Sequence, residues 1–217
     1  QQEFKQYFPQ PAWVEHDATE IWTKTTKVLQ SVLNKITSLP TVIAITNQRE
    51  TVVAWDKLTG KPLHHAIVWQ CRRTANRMET LTDLEKKYIK KSTGLPADAY
   101  FSASKMEWLI QNIESIKQAK KNKTLCLGTI DSWILYHLTK RQVFATDTSN
   151  ASRTMLVNLK TQNYDSQLLK IFGIPLDCLP KIQSSNSFFG TSDSSITNKA
   201  IPIHAILGDQ QSALFAQ

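Results

Sequence analysis

The chain has 217 residues, 41% of them hydrophobic and 20% charged, with a formal net charge of +8. That is an ordinary soluble globular composition, long enough for one large domain with its own core, and no apolar run is long enough to cross a bilayer. The basic excess sits on helix-like stretches such as 86–91 and 117–123 with no interleaved aromatics, so it reads as solvation rather than nucleic-acid binding.

The first turn of chain, QQEFKQYFPQP, lacks the basic and apolar regions of a signal peptide, and Pro9 and Pro11 keep it extended. Asp17 reads as an N-cap, with Glu20 three positions on completing a capping box. Ile21, Trp22, Thr25, Val28, Leu29, Val32 and Leu33 then recur at helical spacing, which predicts an amphipathic helix over 18–36 whose apolar stripe is core. Ser38, Leu39 and Pro40 end it.

The stretch 41–73 is the organising one. Val42 to Ile45 is a short β-branched run that reads as a buried strand, and Val52 to Trp55 is a second one. The turn residues of DKLTGKP fold the second strand back, as a hairpin, onto the apolar segment 66–69. Arg49 and Glu50 therefore fall at the end of a buried strand.

Residues 74–91 are helix-like, closed by Ser92 to Pro96, and a serine-containing cap leads into a helix carrying Met106, Leu109 and Ile110. Leu125 to Leu127 reads as a short strand, Gly128 as the opening of a turn, and Thr129 as the cap of a helix through Trp133 and Leu138. The spacing makes 143–154 a polar loop, 164–172 a helix, 184–199 a surface connection and 201–207 a strand. Gly208-Asp209-Gln210-Gln211 then starts a final helix. Strands alternating with helices indicate an α/β domain.

Few side chains stand out chemically. An adjacent guanidinium and carboxylate, Arg49 and Glu50, offer several donors beside several acceptors and suit a small polyhydroxyl molecule, although a local surface ion pair would give the same two letters. Trp69 offers a flat apolar face. Asp209 follows a strand and a glycine, where its carboxylate either holds a hydroxyl or caps the helix. Arg72 and Arg73 read as solvated surface cations. Cys71, Cys126 and Cys178 are too dispersed for a disulfide framework or a CxxC site, which points to a reducing, cytoplasmic setting. The histidines lack metal-ligand spacing, so no metal site is assigned.

Several blocks together carry a resemblance: PAWVEHDATEIW at 11–22, ITNQRET at 45–51, AIVWQCRR at 66–73, TIDSW at 129–133, SNASRTM at 149–155 and GDQQSALF at 208–215, with Ser102, Lys105 and Trp108 in a further signature. The set resembles the glycerol-phosphorylating members of the FGGY carbohydrate kinase family and spans almost the whole chain. The resemblance implies an actin-like, ribonuclease-H-like domain, a mixed sheet flanked by helices. It implies ATP-dependent phosphorylation of glycerol to sn-glycerol 3-phosphate, with ATP and Mg2+ as cofactors. Carried over by position, Arg49, Glu50, Trp69, Tyr100, Asp209 and Gln210 are the expected glycerol contacts, and Asp209 the expected general base.

Against that family the chain is expected to be truncated: residues 1–217 would be part of the N-terminal, substrate-binding domain, without the phosphate-loop strands and the C-terminal nucleotide domain. No nucleotide contact is therefore assigned to it, the piece alone is expected to be inactive, and an exposed edge on the strand at 42–45 is expected to favour self-association, with a homo-oligomer for the whole protein. The alternatives within and beyond the family are a kinase of a pentose or another polyol, and a non-catalytic domain of the same fold.

Overall fold

The computed structural model describes residues 1–38 and 40–217; Leu39, part of the expected helix-ending segment, lies outside the described residues. Five strands make the central sheet: β1 (Gln6–Tyr7), β2 (Glu15–His16), β4 (Val52–Asp56), β5 (Ala66–Ile67) and β6 (Leu125–Thr129), in the order β1-β2-β5-β4-β6 and antiparallel throughout. Between β2 and β4 in sequence lies β3 (Ile43–Asn47), which pairs in parallel with β11 (Ile203–Gly208). A second parallel pair joins β7 (Ala145–Asp147) to β10 (Lys181–Gln183), and a small hairpin joins β8 (Val157–Asn158) to β9 (Asn163–Tyr164).

The apolar run of β4 explains the layering. Val52 and Ala54 enter one hydrophobic cluster, and Val53 and Trp55 the other, because successive side chains point to opposite faces. The first cluster is covered by α4 (Ser102–Asn112) and α5 (Glu114–Lys121), the second by α1 (Ala18–Leu33) and α6 (Ile130–Leu138). Trp55 is fully buried and packs edge-on to Trp133 at 5.5 Å and to Phe144 at 5.2 Å, which locks α6 to the sheet.

The helix starts differ from the expected ones in instructive ways. Asp17 does cap α1, accepting from the Thr19 and Glu20 N–H groups, but Glu20 turns away and accepts from the Lys5 N–H, so no reciprocal box forms. α1 stops at Leu33, and Val32 at the end of its apolar stripe is 51% exposed, in an open groove it shares with Phe4, Val28 and Leu29. The helix expected over 74–91 is two: α2 (Ala75–Glu79) and α3 (Asp83–Thr93), divided where Thr82 and Glu85 form a full capping box. Ser102 does not cap α4, and Thr129 does not cap α6: the Ser102 hydroxyl donates to the distant Glu50 carbonyl, and the Thr129 hydroxyl to the Asp131 carboxylate two residues on.

Gly128 lies inside β6, paired with Val53, rather than in a turn; the glycine serves for room, since a Cβ there would stand 2.9 Å from Ser132 Cβ and 3.0 Å from the Trp55 ring. The polar loop expected over 143–154 is instead ordered structure: β7, then α7 (Thr148–Ala151), then a 3-10 turn at Ser152–Thr154. Its polar residues are buried or half-buried and bond in large part to groups outside the stretch, among them Asn47, Asp131, Ser185 and Gly208. α8 (Ser166–Ile171) and α9 (Ser194–Thr197) are short, and α10 (Asp209–Phe215) follows β11 directly. Among the described residues, β3 has no partner on the edge away from β11; a groove of about 520 Å³ lined by Leu29, Ile43, Ile45 and Ile134 runs along it.

Candidate functional site

The parallel register of β3 and β11 pairs Asn47 with Gly208, so the two chains leave the sheet side by side, one into Gln48-Arg49-Glu50 and the other into Asp209-Gln210. A buried polar lattice fixes these tips. Asn47 and Asn150 exchange side-chain hydrogen bonds at 2.9 and 3.1 Å, and Asn150 also donates to Asp147 at 2.7 Å. The Ser149 hydroxyl accepts from the Gly208 N–H at 2.8 Å. Asn47, Asp147 and Asn150 are buried, so each would be costly if left unpaired.

Arg49 lies across Gly208. A Cβ at position 208 would sit 2.4 Å from Arg49 Cδ, so only glycine lets the guanidinium stem pass. Arg49 Nε then comes to 3.7 Å from Asp209 Oδ1, close enough for attraction but too long for a hydrogen bond. Arg49 Nε is a buried donor with no protein partner, and Gln211 Oε1, also against Gly208, is a buried acceptor with none. Asp209 itself is half exposed, holds its neighbour's N–H at 2.9 Å, and leads α10 from the first position, with Gly208 as the cap residue. A donor and an acceptor without hydrogen-bond partners beside a half-exposed carboxylate suit a hydroxylated ligand.

Glu50 occupies a tight turn. Its φ is 63°, and the Thr51 N–H donates to the Arg49 carbonyl at 2.8 Å, the pattern of a γ-turn that is rare for a side chain of this size. Such a conformation costs about 1–3 kcal/mol and persists only where the surroundings hold it. They do so here: the Ser102 hydroxyl donates to the Glu50 carbonyl, and Arg153 Nε donates to Glu50 Oε1 at 2.6 Å, with Glu50 only 3% exposed. The Arg153 guanidinium also lies over the Phe101 ring at 4.9 Å and the Tyr100 ring at 5.6 Å. Tyr100 in turn meets Trp69 at 5.3 Å between ring centroids, and the Trp69 backbone N–H donates to the Thr51 hydroxyl.

Behind this wall Lys105 is fully buried and donates to the carbonyls of Ala99, Tyr100 and Phe101. Burial pulls its ammonium down to about 7, opposed by the nearby Cys71, Glu50 and Asp98. Contacts thus run from Asp209 to Arg49, along the backbone to Glu50, and through Arg153 and Tyr100 to Trp69. Gln210 stands next to Asp209 with an exposed side chain. Arg153, Asn150, Lys105 and Gln211 were not singled out from sequence as site residues; the signal available was a run of amide, hydroxyl and guanidinium groups in SNASRTM that is too polar for its burial.

Two surface readings divide. Arg72 is exposed and pairs with Asp98. Arg73 is not a solvated cation: its side chain is wholly buried between the Trp13 ring at 3.8 Å and the Trp108 ring at 4.6 Å, and it pairs with Glu15 at 2.6 Å. Aromatic faces take the place of water around the weakly hydrated guanidinium. A separate, largely apolar groove of about 590 Å³, lined by Ala44, Ala205, Leu207 and Phe215, lies against the β3–β11 pair and contains none of the charged groups of the site.

The FGGY family of carbohydrate kinases, N-terminal domain, matches residues 1–216, and the chain belongs to that family. Glycerol kinase of Borrelia garinii subsp. bavariensis is 50% identical over 221 residues, and glycerol kinase of Francisella philomiragia 47% identical over 221 residues. The crystal structure of Plasmodium falciparum glycerol kinase with ADP superimposes with a TM-score of 0.89 at 39% identity, covering 98% of this chain. Xylulose kinase from Rhodospirillum rubrum, with a TM-score of 0.87 at 18% identity, shares the fold. The fold is the actin-like, ribonuclease-H-like one of these sugar kinases. The chain spans 44% of the length of each of these four proteins.

Proposed function

We propose that this chain is the substrate-binding domain of an ATP-dependent glycerol kinase, which transfers the γ-phosphoryl group to a terminal hydroxyl of glycerol and yields sn-glycerol 3-phosphate. The observation that carries the reading is the unpartnered Arg49 Nε at 3.7 Å from the half-exposed Asp209 carboxylate, on adjoining strand tips, in a chain half identical to glycerol kinases. Arg49, Glu50 and Gln210 hold hydroxyls, Trp69 and Tyr100 pack on the carbon skeleton, and Asp209 orients the attacking hydroxyl and takes its proton. Phosphoryl transfer has a loose transition state, so a base placed here chiefly aims the nucleophile.

ATP and Mg2+ belong to this reading through the rest of the full-length protein. The donor set in this chain fits the hydroxyl side of the transfer, and we assign none of its residues to the phosphates. When bound, Mg2+ would offset charge on the transferring group. The isolated chain is accordingly expected to bind glycerol without turning it over, and the buried free thiols accord with a reducing cytoplasm. We assign the open edge of β3 to a strand of the full-length protein; in the isolated chain that edge drives self-association, and a purely monomeric species in concentrated sedimentation runs would count against it.

The test is a coupled assay on the full-length protein with glycerol, xylulose and ribulose. Turnover on glycerol well above both sugars is expected. Preference for a pentulose would move the assignment to another branch of the family, and inactivity on all three would favour a non-catalytic domain.

A further inference from the structure

We infer that Arg153 is a positioning residue for glycerol recognition: it fixes the Glu50 carboxylate and the Tyr100 ring in one arrangement, so that the hydroxyl-binding and carbon-packing walls of the site are set together. The inference rests on the glycerol-kinase reading. It begins from the local chain. Arg153 sits in the 3-10 turn Ser152–Thr154, and Met155 in the left-handed region at φ 66° ends that turn. The turn hangs from α7, which the Asn47–Asn150 pair and the Ser149 contact to Gly208 hold against both strand tips. Arg153 is therefore carried on the same buried lattice that places Arg49 and Asp209.

Its side chain then makes two different contacts. Nε donates to Glu50 Oε1 at 2.6 Å, while the guanidinium plane covers Phe101 at 4.9 Å and Tyr100 at 5.6 Å. Among the described residues it is the one cation in ion-pair range of Glu50, which is nearly buried on a strained turn. A planar fork can pair through one edge and stack through its face at once; an ammonium cannot do both. Loss of Arg153 leaves an uncompensated buried carboxylate and frees the Tyr100 ring, so the damage falls on substrate binding rather than on Asp209.

Steady-state kinetics on the full-length protein test this. Arg153→Met should raise KM for glycerol about tenfold or more while kcat stays within about threefold, and Arg153→Lys should fall between it and wild type. In a cycle with Glu50→Gln, the double variant should lose clearly less than the product of the two single losses, because part of what Arg153 does runs through Glu50. An unchanged KM in Arg153→Met, or losses that multiply in the double variant, would overturn the inference. Should Arg153→Met fail to fold, Arg153→Lys decides: a raised KM with retained kcat supports it, and an unchanged KM overturns it. Wild-type inactivity on glycerol would instead overturn the functional reading, and the inference with it.

Discussion

Arg49 and Gly208 share a space that admits one side chain: the methyl of an alanine at 208 would lie 2.4 Å from Arg49 Cδ and 2.9 Å from Cγ. The backbone there is ordinary, with φ −59°, so the requirement is for room and not for conformational freedom. Gly208→Ala should therefore leave the fold nearly intact, with a melting temperature within a few degrees of wild type, while the Arg49 stem swings off Asp209. Glycerol affinity by calorimetry should fall about tenfold, and unaltered affinity would separate Arg49 from ligand binding.

Asp209→Asn in the full-length protein keeps the shape and one acceptor but removes the proton-accepting charge. Since a placed general base contributes on the order of 10²–10⁴ in rate, turnover should drop at least about a hundredfold with glycerol binding changed only a few-fold. Turnover at the wild-type level would take Asp209 out of the reaction.

How far the sequence reads ahead of the structure depends on how local each signal is. The β4–β5 hairpin, the Asp17 cap, the strand before Gly208 and the position of Arg49 at a strand end all follow from neighbours in sequence, and the structure has them. The stretch 143–154 read as a loop because its serines, threonines and asparagines lack apolar periodicity. They are satisfied by partners about 40 to 100 residues away, such as Ser185 and Asn47, which no local pattern encodes. Arg73 failed for the same reason: its charge spoke for solvent, but the Trp13 and Trp108 faces that enclose it come from distant segments. The nearness of Arg49 to Asp209 came from resemblance alone, since parallel pairing of β3 with β11 spans some 160 residues.

Arg73 gives a stability prediction with no catalytic component. Its removal leaves Glu15, 5% exposed, with only the half-exposed His65 at 3.2 Å and His64 at 3.9 Å in place of a permanent cation, and empties the slot between two indoles. Arg73→Ala should destabilise by about 3 kcal/mol, or roughly 6–12 °C in Tm for a chain of this size, measured by thermal denaturation. KM for glycerol in the full-length protein should hold. A Tm within a degree of wild type would mean that the pair and its aromatic slot contribute nothing net.

Asp131 makes the pH dependence specific. Wholly buried, it is pushed up to about 6, first by desolvation and further by the neighbouring Asp147, against the hydrogen bonds from Thr129 at 2.5 Å and Thr146 at 2.6 Å. In the unfolded chain the same carboxyl titrates near 3.8. Because the folded value is the higher, the folded state holds this proton more tightly: the contribution is complete below the unfolded value and is lost as pH rises through about 6. Asp131→Asn removes the titration but keeps a neutral acceptor. The stability of wild type relative to Asp131→Asn should therefore fall by about 2 kcal/mol between pH 4 and pH 6 and level off above about pH 7, as read from urea denaturation at each pH. A difference independent of pH across that window would mean that Asp131 is already ionised inside the fold at pH 4, with Thr129 and Thr146 outweighing its desolvation.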